Sequence, residues 1–125
     1  MNYEECLQFA SGAKNKDDAG KTRYDLIPPL ALQALAEVYG YGVKKYSARG
    51  WEQGIPWTKW FAALMRHAWD WMRGEDLDPE SGLPHMAHAA WNCMALLEYY
   101  LRKRGIDDRP YSNNTVAGLN DPVGP

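Results

Sequence analysis

Only two cysteines occur in the 125 residues, Cys6 and Cys93, and they stand too far apart to suggest a metal clip or a redox pair. Ordinary reduced thiols are expected, as in a cytosolic chain. No apolar run approaches the roughly 20 residues that a membrane-spanning helix needs. The first residues, Met1 to Gln8, carry two glutamates where a secretion signal wants positive charge. A cytoplasmic location is therefore expected, with no membrane partner. Nor is there an excess of positive charge: 14 Lys and Arg stand against 16 Asp and Glu, a net charge of −2. That balance excludes duplex nucleic acid as the expected partner, since it takes a clustered basic surface, but leaves room for a small polyanion held by a local cluster. Phenylalanine is scarce, with two residues, against six Trp and eight Tyr. Such rings, apolar in body and polar at the tip, suit a core, a subunit interface or a wall facing a ligand.

What is present is helical signal. The length suits one domain, and a hydrophobic content of 46% can build a core around three or four helices. Residues 1–20 end in a polar run from Gly12 to Gly20 with no apolar period, which reads as an arm. Pro28 and Pro29 then suit the start of a helix, because a proline in the first turn forfeits no intrahelical hydrogen bond. This first helix is expected from about Pro29 to Tyr46, with an inward stripe of Leu32, Leu35, Ala36, Tyr39 and Val43. Gly40 and Gly42 weaken its second half and suggest a close approach by another segment. A loop with two glycines and a proline carries Trp51 to a second helix, from Trp57 or Thr58 to Arg73, with Thr58 as N-cap and Gly74 as stop. An acidic loop, residues 75–84, leads through Pro84 into a third helix, His85 to about Arg104, whose expected core stripe is Met86, Ala90, Met94, Leu97 and Leu101. Gly105 reads as its stop.

The fold class expected is all-α: a small bundle of three to four helices over residues 21–106, between the arm and an extended or disordered tail, residues 107–125. Three helices this rich in rings leave apolar faces uncovered, so a homo-oligomer is expected.

All three histidines fall between His67 and His88, around the acidic loop, and an antiparallel pairing of the second and third helices brings them together. His85 and His88, three apart, share a helix face, and Asn92 extends the polar strip by one turn. Two histidines at this spacing chelate a divalent metal when carboxylates complete the shell, and Glu75, Asp78 and Glu80 are at hand. The plainer alternative is a capped helix start, with Asp78, Glu80 or Ser81 accepting backbone amides and His85 facing solvent. His67 shares its helix face with Trp60, Leu64 and Trp71, so it reads equally as a core-edge residue or a ligand, with Asp70 nearby. Lys21 and Arg23 before the first helix, and Lys44, Lys45 and Arg49 after it, form basic clusters able to grip phosphates, although lysines at a helix C-terminus are also ordinary dipole partners. Trp51 and Trp57 flank a loop and can stack on a base or close over the core.

Several segments then read together: Gly20-Lys-Thr-Arg-Tyr-Asp-Leu-Ile-Pro-Pro, Tyr41-Gly-Val-Lys-Lys-Tyr, Arg66-His, Gly74-Glu, Glu80-Ser-Gly, His85-Met-Ala-His and Gly105-Ile-Asp-Asp-Arg-Pro. In this order and spacing, over roughly residues 18–110, they resemble the phage dATP/dGTP diphosphohydrolase N-terminal domain family, which is linked to the MazG-like all-α nucleoside triphosphate pyrophosphatases. The resemblance implies hydrolysis of a purine deoxynucleoside triphosphate to monophosphate and pyrophosphate, with Mg²⁺ or Mn²⁺, in control of a phage's nucleotide pool. On these residues the expected metal shell is His67, Glu75, Asp78, His85 and His88, with Glu37, Glu75 and Asp78 the expected catalytic carboxylates. Lys21, Arg23, Lys45, Arg66 and Asn92 would contact the nucleotide. The wider superfamily carries Glu-x-x-Glu on one helix and Glu-x-x-Asp on a later one, where this chain has His67-x-x-Asp70 and His85-x-x-His88. Histidine ligands tilt the preference toward Mn²⁺ or another transition metal. The missing carboxylates leave a rival reading, a non-catalytic phage protein that sequesters a nucleotide or nucleotide-derived signal.

Overall fold

Among the described residues the main elements are three α-helices, α1, Pro29–Lys45; α2, Trp57–Met72; and α3, His85–Arg102, with a 3-10 turn at Tyr24–Leu26 before them. The computed structural model describes residues 2–5, 20–45, 49 and 54–111. Most of the expected arm, Trp51 with much of its loop, and the tail beyond residue 111 lie outside the described residues. Among the described residues there is no strand, only isolated bridges joining Pro56 to Ile106 and Leu77 to Pro84. The class is all-α, and none of the described helices is long and apolar enough to cross a membrane.

Each helix starts at a proline. Pro29 is the first residue of α1, and Pro56 and Pro84 immediately precede α2 and α3 with φ of −54° and −58°. The ring presets that angle and costs no amide partner there. Thr58 is not the N-cap of α2; it lies inside the first turn, and Asp108 from the far end of the described chain takes the capping role. The Thr58 amide donates to Asp108 Oδ1 at 3.0 Å, and the Thr58 hydroxyl donates to the other carboxylate oxygen. An anion there also faces the positive end of the helix dipole.

At the other ends, α2 stops before Gly74 (φ +98°), as its sequence predicts. α3 ends at Arg102, two residues earlier than expected, because Lys103 turns left-handed (φ 54°) and the Arg104 amide reaches back to Tyr99 O at 2.8 Å. Gly105 therefore serves a different purpose. At φ +76° it lets the backbone pass so close that a Cβ would lie 2.9 Å from Trp57 Nε1 and 3.0 Å from Ile55 O. Across that contact the Trp57 indole donates to Arg104 O at 2.9 Å and the Trp57 amide donates to Ile106 O at 3.0 Å. The Arg109 guanidinium sits 5.1 Å from the Trp57 ring centroid, oriented by Asp107. The segment from Gly105 to Arg109 is thus a strap tying the start of α2 to the end of α3.

α3 packs against both other helices and runs antiparallel to each. Tyr39 and Tyr41 of α1 meet Trp91 and His88 at ring separations of 5.9 and 6.1 Å. Trp60 of α2 meets Trp91 at 5.0 Å and Tyr99 at 6.3 Å, while His67 at the other end meets His85 at 5.1 Å. The face that α3 turns inward is His85, His88, Asn92, Ala95 and Tyr99, all buried and spaced alternately by three and four. This corrects the expected core stripe: Met86, Met94, Leu97 and Leu101 are exposed, Leu97 by 53%. The same rotation affects α1, where Val38 is buried while Leu32 and Val43 are exposed, and Trp71 on α2 is exposed too. Polar groups occupy the interior because they satisfy one another there, which removes most of the cost of burying them. Among the described residues nothing lies within 4 Å of where the Cβ atoms of Gly40 and Gly42 would stand.

Candidate functional site

The antiparallel pairing of α2 and α3 sets His67 beside His85 and His88, and the acidic loop folds back over them. That loop is held by its own backbone: Asp78 N donates to Leu83 O at 2.8 Å, Gly82 N to Asp78 O at 2.7 Å, and His85 N to Asp76 O at 2.9 Å. Asp78 Oδ2 in turn accepts the Ser81 amide at 3.1 Å and the Ser81 hydroxyl at 2.9 Å. α3 has no side-chain cap, and His85 is 1% exposed, so neither the capping role expected for the acidic residues nor a solvent-facing His85 is found.

The hydrogen bonds assign the tautomers. Glu75 Oε1 lies 2.7 Å from His85 Nε2, and a carboxylate only accepts, so that nitrogen carries the hydrogen. In the neutral ring His85 Nδ1 is then an acceptor, and the His67 Nδ1–H, 2.9 Å away, donates to it. His67 keeps Nε2 bare. On the other side the Ser81 hydroxyl gives its one hydrogen to Asp78, so it accepts from His88 Nε2 at 2.7 Å, leaving His88 Nδ1 bare. The rings of His67 and His88 are stacked, 4.6 Å apart and inclined by 7°.

Burial pushes the His67 imidazole below its ordinary value of 6.5, and the neighbouring His88 and His85 push the same way. Burial also lowers His88, against the opposing pull of Asp78. For Asp78 burial acts upward, but the two hydrogen bonds from Ser81 outweigh it and hold the carboxyl below the usual range. Histidines with depressed values in the folded state stabilise the fold fully above 6.5. That contribution is lost as pH falls below 6.5, because the unfolded chain takes up the protons first. The melting temperature in EDTA is therefore expected to drop as pH is lowered from 7 to 5.5, and His67→Gln is expected to flatten that decline. A profile level across this window, as scanning calorimetry would record it, contradicts the assignment.

Beside the cluster lies an open cleft of about 950 Å³, walled by all three helices and the acidic loop. Its lining includes the polar side chains of His67, His88, Asp78, Glu80, Lys45, Lys59 and Arg66 and the apolar ones of Val38, Tyr39, Ile55, Trp60 and Trp91. Lys45 bonds Glu80 at 2.6 Å, and Tyr41 joins that carboxylate; the two hydrogen bonds hold Glu80 below its ordinary range, Lys45 being the stronger cause. One nitrogen each of His67 and His85 and an oxygen of Asp78 lie within 4.8 Å of one another, a set able to hold a metal ion, and Asp70, Glu75 and His85 form a second such group.

The sequence-predicted residues divide accordingly. His67, Asp78, His85 and His88 are brought together, with Glu75 bonded to His85 behind them. Arg66, Lys45 and Asn92 border the cleft. Glu37 is exposed on α1 away from it, and so are Lys21 and Arg23, the latter bonded to Asp25 at 2.7 and 2.8 Å. Sequence reasoning missed Lys59, which lines the cleft seven residues before Arg66 and so on the same face of α2. It also missed Tyr41, whose signal was its place beside Lys45 in the Tyr41-Gly-Val-Lys-Lys-Tyr segment.

A family model described as dATP/dGTP diphosphohydrolase, N-terminal, matches residues 11–109. A protein of Salmonella phage PMBT28 named dATP/dGTP diphosphohydrolase is 34% identical over 109 residues, covering 87% of this chain. The chain spans 37% of that relative's length. No solved structure matches it.

Proposed function

The chain belongs to the dATP/dGTP diphosphohydrolase N-terminal family, and on that footing we propose that it hydrolyses a purine deoxynucleoside triphosphate to the monophosphate and pyrophosphate, in a phage's control of nucleotide pools. The observation that carries this reading is the meeting of two imidazoles and a carboxylate within 4.8 Å, at the edge of a cleft bordered by Lys45, Lys59 and Arg66. The donor set fits a divalent cation. An ion held there would replace the hydrogen bond between the two Nδ1 atoms, the His67 hydrogen moving to its bare Nε2, and two nitrogens with one carboxylate favour Mn²⁺ or another transition metal over Mg²⁺. Such an ion would supply charge neutralisation at the triphosphate and Lewis acidity toward the attacking water.

The remaining work falls to the chain. Lys59 and Arg66 grip phosphate oxygens from the α2 wall, and Lys45 can do so once it releases Glu80. Glu75 orients His85, and through it His67. Water adds to the α-phosphorus, the bond from that phosphorus to the bridging oxygen breaks, and pyrophosphate leaves. His88, kept neutral by burial, takes the proton of the attacking water. The exposed stripe of Met86, Met94, Leu97 and Leu101 supports self-association in the working protein.

The rival reading, sequestration without turnover, is favoured by the carboxylates: of Glu37, Glu75 and Asp78, only Asp78 borders the cleft. Pyrophosphate release from the eight common NTPs and dNTPs in Mn²⁺, Mg²⁺ or EDTA, read with binding and with the sedimentation mass, decides between them. Turnover of a purine dNTP that EDTA abolishes, by a species heavier than the 14.2 kDa chain, is expected. Tight binding without pyrophosphate would replace the enzyme by a sponge, and a mass of one chain would remove the oligomer.

A further inference from the structure

Ser81 reads in the sequence as a helix cap, but its hydroxyl is committed inside the histidine cluster. A hydroxyl has one hydrogen and two lone pairs, and here all three are used. Oγ donates to Asp78 Oδ2 at 2.9 Å, and it accepts the Leu83 amide at 3.2 Å and His88 Nε2–H at 2.7 Å. Both of its side-chain partners border the cleft. Stacking on His67 fixes the plane of the His88 ring, 7° from that of its neighbour, but not which atoms stand where in that plane. A half-turn about the Cβ–Cγ bond keeps the plane and exchanges nitrogens for carbons. The hydrogen bond to Ser81 is what separates these two settings. It separates the tautomers as well: with the hydrogen on Nδ1, Nε2 would need a donor, and Ser81 could supply one only by leaving the Asp78 carboxylate.

We propose that Ser81 is the positioning residue for proton transfer in this site, holding His88 as the Nε2–H tautomer with Nδ1 as the one ring atom able to take a proton. The assignment rests on the hydrolytic reading above, in which His88 receives the proton of the attacking water. A neutral imidazole is protonated only at its bare nitrogen, so the serine decides which atom that is. As the water oxygen bonds the α-phosphorus, its O–H bond breaks and the hydrogen passes to Nδ1 without its electron pair. The imidazolium so formed keeps its Nε2–H on Ser81, and the Asp78 carboxylate, 3.6 Å from Nε2, offsets the new positive charge. The proton then leaves Nδ1 for solvent through the open cleft, which restores the neutral ring. Ser81 touches neither the water nor the nucleotide; it acts through His88. The turn that carries it does not depend on its hydroxyl. The residue 81 amide donates to Asp78 Oδ2 at 3.1 Å, and the backbone bonds from Asp78 N to Leu83 O and from Gly82 N to Asp78 O close the loop.

The test compares wild type, Ser81→Ala and Ser81→Thr by imidazole nitrogen NMR of the metal-free protein and by initial rates of pyrophosphate release from dATP and dGTP at saturating Mn²⁺. In the wild type the His88 hydrogen is expected on Nε2, slow to exchange with water, with Nδ1 unprotonated. In Ser81→Ala it is expected to exchange at least about tenfold faster, and kcat to fall at least about tenfold with KM changed less than about twofold, because a positioned general base contributes roughly 10²–10⁴-fold and ground-state binding is untouched. Ser81→Thr, which keeps a hydroxyl, is expected to restore both. Saturating Mn²⁺ makes the rate blind to any weakening of Asp78 as a ligand, so a hydroxyl that served only Asp78 or the turn would leave kcat and the exchange rate at their wild-type values. A wild-type His88 hydrogen on Nδ1, an exchange rate or a kcat unchanged in Ser81→Ala, or a folded threonine variant no better than alanine overturns the assignment and leaves the hydrolytic reading intact. Where alanine does not fold, the wild-type spectrum decides: a hydrogen on Nε2 supports the assignment and one on Nδ1 sinks it. No pyrophosphate from the wild type overturns both readings.

Discussion

Replacing Asp78 with asparagine is expected to lower metal-dependent pyrophosphate release by about a hundredfold or more, with little change in melting temperature. Asparagine keeps an oxygen to accept the Ser81 amide and hydroxyl, so the turn from Asp78 to Ser81 retains both of its hydrogen bonds. What it removes is the negative charge, and with it the one carboxylate that both borders the cleft and stands within 4.8 Å of the His67 and His85 nitrogens. Residues that merely support a metal's ligands cost 10–100-fold when changed, on the order of the smallest effect a ligand itself should have. The measurement is initial rate against Mn²⁺ concentration, beside a thermal scan. A fall in rate that excess Mn²⁺ largely restores locates the lesion in metal affinity. Wild-type rates at every Mn²⁺ concentration would remove Asp78 from the site.

Gly105→Ala carries the largest expected cost in stability. A side chain at φ +76° costs roughly 1–2 kcal/mol on its own. Here the added carbon also meets Ile55 O at 3.0 Å and Trp57 Nε1 at 2.9 Å, and the first is backbone that cannot swing away. Relief requires the strap to lift, which breaks the Trp57 hydrogen bonds to Arg104 and Ile106 and draws Asp108 from Thr58. A total of about 2–4 kcal/mol is expected, comparable to other strained or overpacked substitutions. For a domain near 100 residues each kcal/mol moves the melting temperature by roughly 4–8 °C, so a fall of about 8 °C or more should be seen. Asp108→Ala, which removes only the cap, should cost about 1 kcal/mol. If the two variants melt together, the close approach at Gly105 is not what holds the strap.

The local chemistry of the sequence determined where the helices begin and where α2 ends. Pro29, Pro56 and Pro84 fix backbone angles by their own rings, and Gly74 provides the left-handed turn that stops α2, so these positions needed no knowledge of the rest of the chain. The spacing of His85, His88 and Asn92 likewise determined that they share one face, and the short acidic loop made it natural for α2 to return beside α3 with His67 near them. Which face points inward was decided only by the tertiary structure. Helical period says which residues stand together, and hydrophobicity selects Met86, Met94, Leu97 and Leu101 for the core. In the folded chain His85, His88 and Asn92 lie inside, where Glu75, Ser81 and His67 supply partners that a single helix does not reveal. The roles of Lys59 and Asp108 depend in the same way on contacts across long stretches of chain: Lys59 borders a cleft shared with α1, and Asp108 caps a helix 50 residues away. Local backbone preference acts within a few residues and is therefore legible in the sequence, whereas the pairing of buried polar groups is a property of surfaces that meet only after folding.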